Sequence, residues 1–312
     1  MFRRHRLVSR VLSSLLAVAT SSSCTPEKSP LADGDASLSV DEQLFQDGLA
    51  LYDGGDFAAA QVKFDVLLSE HADSNRADNA AYLGGRCRYE QGLYDDAITA
   101  LEAMRVEHAA SPFVSSAAYF TGRSRYELGA YADAVVDFDA AVDADAGSAY
   151  ADNAAYYAGR SWYEAGSFTA AAAAFDVFET AYPDSSYADN GAYYHGRAYF
   201  DVDDYARARP QFERVLSIAE ASGASIYADN AQYYVARSSY GLVELDTALN
   251  GFQAVVSTYP TSQYLDNALY YEVRIYVDRG ECTDALTALQ TLQDSQPASP
   301  EIPRAQRYAS GC

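Results

Sequence analysis

Large apolar, small apolar and polar residues return at a constant distance along most of the chain. Phe64, Leu101, Phe138, Phe175, Phe212, Phe252 and Leu289 follow one another at 37 residues, apart from one step of 40. Four residues before each of them stands an alanine: Ala60, Ala97, Ala134, Ala171, Ala208, Ala248 and Ala285. A third column holds Gly48, Gly85, Gly122, Gly159 and Gly196, then Ala236 and Val273. Small residues set opposite large ones are what two closely packed helices require, because interiors fill by interdigitation. Each period therefore predicts a helical hairpin. In one copy, Asp152 to Ala165 reads as a helix, Gly166 and Ser167 as the turn, and Phe168 to Tyr182 as the second helix. Pro183 and Ser185 break and restart the chain. Gly55, Gly92, Gly129 and Gly280 share the place of Gly166, where a short turn wants positive φ. One hairpin cannot bury its own face, so the copies must stack.

The array runs over residues 41–296 in about seven copies, and the extra residues before Phe252 fall within Ile218 to Ile226, which reads as a longer loop. Glu301 to Tyr308 reads as a helix capping the stack, within a terminal segment 297–312. The expected class is an all-α solenoid.

Polar columns keep the same register. Arg86, Arg123, Arg160, Arg197, Arg237 and Arg274 form one, with Leu49 in the variant first copy. Four residues earlier stand Tyr82, Tyr119, Tyr156, Tyr193, Tyr233 and Tyr270; seven earlier stand Asn79, Asn153, Asn190, Asn230 and Asn267. Asn153, Tyr156, Arg160, Tyr163 and Glu164 share one stripe of a helix by their spacing. Two roles fit such a stripe. It could line a groove that grips an extended segment through backbone amides and carboxylates, since Tyr and Arg are enriched at binding hot spots. It could equally pack neighbouring repeats together, with Arg160 and Glu164 as an ordinary i, i+4 pair.

The run Gly159-Arg160-Ser161-Trp162-Tyr163-Glu164-Ala165-Gly166-Ser167-Phe168, followed by Ala171, Phe175 and Pro183, resembles a tetratricopeptide repeat. The likeness covers about four fifths of the chain, with Asp203 and Val243 departing from the turn glycine. It implies a right-handed α-solenoid whose concave side, lined by the Asn, Tyr and Arg columns, receives peptide segments of partners. The period and the phrase Tyr182-Pro183-Asp184-Ser185-Ser186-Tyr187-Ala188-Asp189-Asn190 are similar to BamD-like lipoproteins of outer-membrane protein assembly and to the CpoB (YbgF) periplasmic proteins. That narrower likeness implies a non-catalytic scaffold for envelope proteins. An accessory subunit that presents peptidoglycan or polysaccharide is the alternative, because tyrosine-rich grooves stack on sugars.

The amino terminus adds an address. Arg3, Arg4, Arg6 and Arg10 precede the apolar stretch Val11 to Ala19, so residues 1–23 have the form of an export signal. Ala17-Val18-Ala19 fits ordinary cleavage, whereas Ser21-Ser22-Ser23-Cys24 resembles a lipobox with Ser21 in place of an aliphatic residue. Residues 24–40 then read as a flexible tether. The expectation is an exported protein at the periplasmic or extracellular face, held at the outer membrane through a lipidated Cys24. No apolar run reaches the length of a membrane span, so contact with a membrane is expected only through the lipid.

Charge removes one class of partner: 22 Lys and Arg against 44 Asp and Glu give −22, which opposes nucleic-acid binding. Of the remaining cysteines, Cys282 and Cys312 are expected to pair if the cap returns antiparallel, and Cys87 reads as a buried thiol. The four histidines are dispersed, and His195 reads as helix surface. Asp143, Asp145 and Gly147 begin like a calcium loop, but Ala154 stands where the closing Glu belongs. No catalytic set, metal site or cofactor is expected.

Overall fold

The protein is described by a computed structural model over residues 38–223 and 225–312. The export segment, Cys24 and nearly all of the tether lie outside the described residues. Seven hairpins follow one another: α1 (Val40–Asp53) and α2 (Phe57–Glu70), α3 (Ala77–Glu90) and α4 (Tyr94–Glu107), α5 (Val114–Glu127) and α6 (Tyr131–Ala144), α7 (Ala151–Glu164) and α8 (Phe168–Ala181), α9 (Ala188–Phe200) and α10 (Tyr205–Ser222), α11 (Ala228–Gly241) and α12 (Leu245–Thr258), α13 (Leu265–Asp278) and α14 (Cys282–Ser295). The cap α15 (Ile302–Ala309) packs on α13 and α14. No strand occurs among the described residues. Each helix packs on the next, and the first helices α3, α5, α7 and α9 also touch one another directly, which makes an all-α solenoid.

The columns explain the packing. The seven alanines are fully buried, as are Phe64, Leu101, Phe138, Phe175, Phe212 and Phe252. The aromatic or leucine side chain lies against the small residue of the first helix so closely that a Cβ on Gly159 would stand 2.7 Å from Phe175 Cε1, and one on Gly122 2.8 Å from Phe138 Cδ1. In the sixth hairpin the roles shift: Ala236 carries the methyl, and Gly251 of α12 supplies the space for it. Gly159→Ala is expected to lower stability by about 1–3 kcal/mol through overpacking, measured as a fall in the urea midpoint.

The turns follow the expected conformation, with φ near +72° at Gly166. Asp203 and Val243 take the same left-handed place at φ 59° and 63°, so the turn geometry holds even where its glycine is missing. The additional residues before Arg237 correct one expectation. They lengthen α10 to 18 residues and end it at Gly223 with φ 79°, a left-handed C-cap. Ala219, Glu220 and Ala221 propagate a helix better than they make a loop.

A hydrogen-bond ladder that the columns did not reveal ties the loops. Ser74 Oγ donates to Asp41, Ser111 to Asp78, Ser185 to Asp152, Ser225 to Asp189 and Ser299 to Asp266, at 2.6–3.0 Å. Each serine sits before a first helix or, for Ser299, before the cap, and its acceptor opens the first helix of the preceding hairpin. The signal was present in the sequence as a Ser and an Asp 33 to 36 residues apart.

At its end the array is closed covalently, because Cys282 at the start of α14 is bonded to Cys312. Cys87 is a buried free thiol whose pKa burial pushes up to about 12.

Candidate functional site

The stripe expected to line the groove divides into an interior part and an exposed part. Tyr82, Tyr119, Tyr156, Tyr193, Tyr233 and Tyr270 are only 2–5% exposed, so the tyrosine rings do not line an open groove. The reason lies one repeat away. The residue before the next first helix folds onto each ring: Phe113 onto Tyr82 at 5.3 Å between centroids, Tyr150 onto Tyr119 at 4.8 Å, Tyr187 onto Tyr156 at 4.5 Å, Tyr227 onto Tyr193 at 4.4 Å and Tyr264 onto Tyr233 at 4.3 Å. Burial raises the hydroxyl pKa of Tyr156, Tyr193 and Tyr233 to about 12, so these hydroxyls keep their protons.

The arginines sit between repeats. Every guanidinium lies over an aromatic ring of the next unit: Arg86 over Phe120 at 4.8 Å, Arg123 over Tyr157 at 4.1 Å, Arg160 over Tyr194 at 3.5 Å, Arg197 over Tyr234 at 4.8 Å and Arg237 over Tyr271 at 4.4 Å. Arg274 closes the series over Tyr308 of the cap at 5.0 Å. A ring of the preceding hairpin flanks the other side, as Tyr89 does for Arg123 and Tyr163 for Arg197, each at 5.7 Å. Such contacts contribute about 0.5–2 kcal/mol each, more where water is excluded. The rings that receive the guanidinium, from Phe120 to Tyr271, stand directly after the tyrosine column. Their signal was the run of adjacent aromatics, such as Tyr156-Tyr157 and Tyr193-Tyr194.

Hydrogen bonds complete each junction. Arg123, Arg160, Arg197 and Arg237 each donate from Nη1 to the tyrosine hydroxyl one turn earlier, at 2.9–3.3 Å. Asn153 and Asn190 stand near the hydroxyls of Tyr119 and Tyr156, each one repeat back, and offset part of the upward pKa shift that burial causes. Asn230 instead accepts from Gln263, and Asn267 donates to Asp266. Asn79 is half-buried on α3 in the same register. Four arginines pair with a carboxylate one turn on: Arg86 with Glu90, Arg123 with Glu127, Arg160 with Glu164 and Arg197 with Asp201. What faces solvent along this side is therefore the edge of each arginine, 16–26% exposed from Arg86 to Arg197, together with its acidic partner.

Two of the buried ionisable groups that escaped the sequence reading lie two residues before the arginine. His195, expected on the surface, is fully buried. Its ring nitrogens lie 3.5 Å from Asp176 and 3.4 Å from Glu179 of α8, the second helix of the preceding hairpin, and Arg214 of α10 also pairs with Glu179. The column therefore faces the interface between hairpins. In α13 the same place holds Glu272, 7% exposed, with Oε1 lacking a hydrogen-bond partner. Burial alone raises its pKa from 4.5 to about 7. The folded protein then binds this proton more tightly than the unfolded chain, so stability falls as pH rises from 4.5 to 7 and stays low above it. Glu272→Gln is expected to leave stability at pH 4.5 unchanged and to raise it by about 3 kcal/mol at pH 8, as read from urea unfolding at both pH values.

Among the described residues no group of three or more His, Cys, Asp and Glu side chains is placed to hold a metal ion. Asp145 Oδ1 accepts from the amide of Gly147 and thereby shapes a turn. No described helix is long and apolar enough to cross a membrane.

Comparison with known proteins agrees with this geometry. Residues 45–112, 82–149 and 121–186 each match the family model described as tetratricopeptide repeat. No curated protein sequence matches the chain. Among solved structures, the C-terminal part of a TPR repeat-containing protein from Cytophaga hutchinsonii is 18% identical, with 84% of this chain and 98% of that one covered and a TM-score of 0.66. A tetratricopeptide repeat protein from Parabacteroides merdae is 14% identical over 86% of this chain and 98% of its own, with a TM-score of 0.52. YrrB, described as a TPR protein with an unusual peptide-binding site, is 18% identical over 66% of this chain and 97% of its own, with a TM-score of 0.53. Residues 45–186 are thus matched as tetratricopeptide repeats, and the hairpin packing of the described residues is that of the tetratricopeptide-repeat fold.

Proposed function

We propose that this protein is a non-catalytic scaffold of the bacterial cell envelope, holding extended segments of partner proteins along the stripe formed by α3, α5, α7, α9, α11 and α13. The observation that carries the reading is the evenly spaced row of arginine edges, which offers donors to a backbone that lies across successive hairpins. The junctions behind the row are filled and stiff, so a partner meets a pre-formed surface and ordering costs little on the scaffold side. YrrB, similar in fold, is described as having a peptide-binding site, which supports the same use of the repeat. The tyrosine column, 2–5% exposed, offers no open face to a saccharide, which favours a protein segment over the sugar-presenting alternative.

The envelope address rests on the arginine-led apolar segment and on the Cys282–Cys312 bond, which suits an oxidising compartment. A lipidated Cys24 would tether the body to the outer membrane, with cleavage after Ala19 as the competing route. Mass spectrometry of the mature amino terminus separates the two, because only lipidation adds acyl mass to Cys24.

The wall itself is tested with a photo-crosslinking residue at Asn153, compared with one at Val136, exposed on the second helix α6. Adducts with defined envelope proteins from position 153 and none from 136 are expected. Equal yields from the two positions, or none from either, would end the reading.

A further inference from the structure

Resting on that reading of the wall, we infer that its cap end, around Tyr270, Arg304, Arg307 and Tyr308, seats acidic side chains of the bound segment. From α3 to α9 each arginine of the row has its own carboxylate one turn on. The rule stops at α11. There Gly241 stands in the acidic position, because a Cβ would lie 2.3 Å from the ring of Tyr205. Among the described residues no carboxylate reaches ion-pair distance of Arg237. In α13 Asp278 occupies the acidic position but accepts from the Tyr308 hydroxyl at 3.4 Å, and it makes no ion pair with Arg274.

The cap then adds cations. Arg304 lies over Tyr270 at 4.8 Å, in the place that a loop aromatic fills in the earlier repeats. Its contacts with Glu301 both come from Nη1, so the rest of the guanidinium fork is open. Arg307 is exposed and has no ion pair among the described residues. Tyr270, Arg304, Arg307 and Tyr308 together line a cavity of about 170 Å³, roomy enough for a carboxylate side chain. Two guanidinium groups, Arg304 and Arg307, line this cavity, and Arg304 alone of the two has an ion-pair partner, Glu301, among the described residues. From residue 38 onward the chain carries 17 Lys and Arg against 41 Asp and Glu, a net charge of −24, so this surplus runs against the rest of the molecule. A cap needs only a polar outer face, which any charged residue supplies. Arginine adds the planar fork that matches a carboxylate.

The wall is thereby polar along its length: neutralised arginines over α3 to α9, open ones from α11 to the cap. A partner segment would lie with its acidic residues at the cap, and the net negative charge of the body would make this contact weak and sensitive to salt.

The test follows arginine Nε–Hε resonances in the full chain during titration with Ac-Gly-Glu-Glu-Ala-NH2, Ac-Gly-Gln-Gln-Ala-NH2 and inorganic phosphate. The Glu peptide is expected to shift Arg304 and Arg307 saturably, at least tenfold more tightly than the Gln peptide, and to leave Arg123 and Arg160 in place. Arg307→Gln, at an exposed position with no partner to lose, is expected to weaken binding at least fivefold with an unchanged melting point. The double variant with Arg304→Gln is expected to abolish it. Equal response to both peptides, or none, would overturn the inference, and tighter binding of phosphate than of the Glu peptide would reassign the seat to a free oxyanion. Saturable binding of the Glu peptide without crosslinks from position 153 would instead retain the seat and remove the wall.

Discussion

Changing Arg123, Arg160 and Arg197 together to Ala is expected to destabilise the middle of the array by roughly 6 kcal/mol, a fall in Tm on the order of 15 °C. Each guanidinium is held between rings of the preceding and following hairpins and donates to a buried tyrosine hydroxyl. Its removal ends a cation–π contact of about 1–2 kcal/mol and leaves a buried hydroxyl short of a partner, at about another 1 kcal/mol. Three adjacent junctions share helices, so the losses couple, as nearest-neighbour energetics of repeat arrays require. The control neutralises the acids instead. Glu127→Gln and Glu164→Gln leave stacking intact and remove only solvent-facing pairs, so each is expected to cost well under 1 kcal/mol. Should the triple arginine variant melt with the wild type, the guanidinium groups do not hold the stack and are free for a partner. The same argument disqualifies the triple variant as a test of binding, because a lost partner would then report a loosened fold.

Breaking the Cys282–Cys312 bond has the next largest expected effect, and a local one. The bond closes a loop of 30 residues that contains α14 and α15, and freeing a loop of that size costs about 3–4 kcal/mol in the chain-entropy account. The eight-residue α15 buries mainly Ala305 and Ala309 against α13 and α14, too little apolar area to hold it firmly without the cross-link. In the Cys282→Ser, Cys312→Ser variant, amides of α15 are expected to exchange at least a hundredfold faster while those of α3 to α8 keep their protection. Cys87, fully buried, is in no position to replace either partner. Unchanged protection of α15 would show that packing alone secures the cap.

The hairpins were legible because packing two helices demands the same small and large residues in every copy. The worked copy was read to within a residue: α7 begins at Ala151 and α8 ends at Ala181. What escaped depends on contacts between copies. The stripe of Asn153, Tyr156 and Arg160 was placed correctly on one helix, yet nothing within that helix says that Tyr187, 31 residues on, folds over Tyr156. His195 looked like surface because its carboxylate neighbours, Asp176 and Glu179, lie on a different hairpin. The lengthened α10 was taken for a loop because an insertion interrupts the period whether it coils or extends a helix. The Ser–Asp ladder was readable in principle, since its two columns repeat as faithfully as the arginines.

Because the ring in front of each guanidinium and the ring behind it come from equivalent columns, any internal hairpin presents to its neighbours nearly the surface that the adjacent hairpin would present. Excising or duplicating one whole period therefore joins compatible faces, whereas a cut of any other length does not. The cysteine cross-link lies wholly within the last hairpin and its cap, so it survives such events. Array length is in this sense a heritable setting that unequal recombination could change in steps of one hairpin, leaving the closed end as it is.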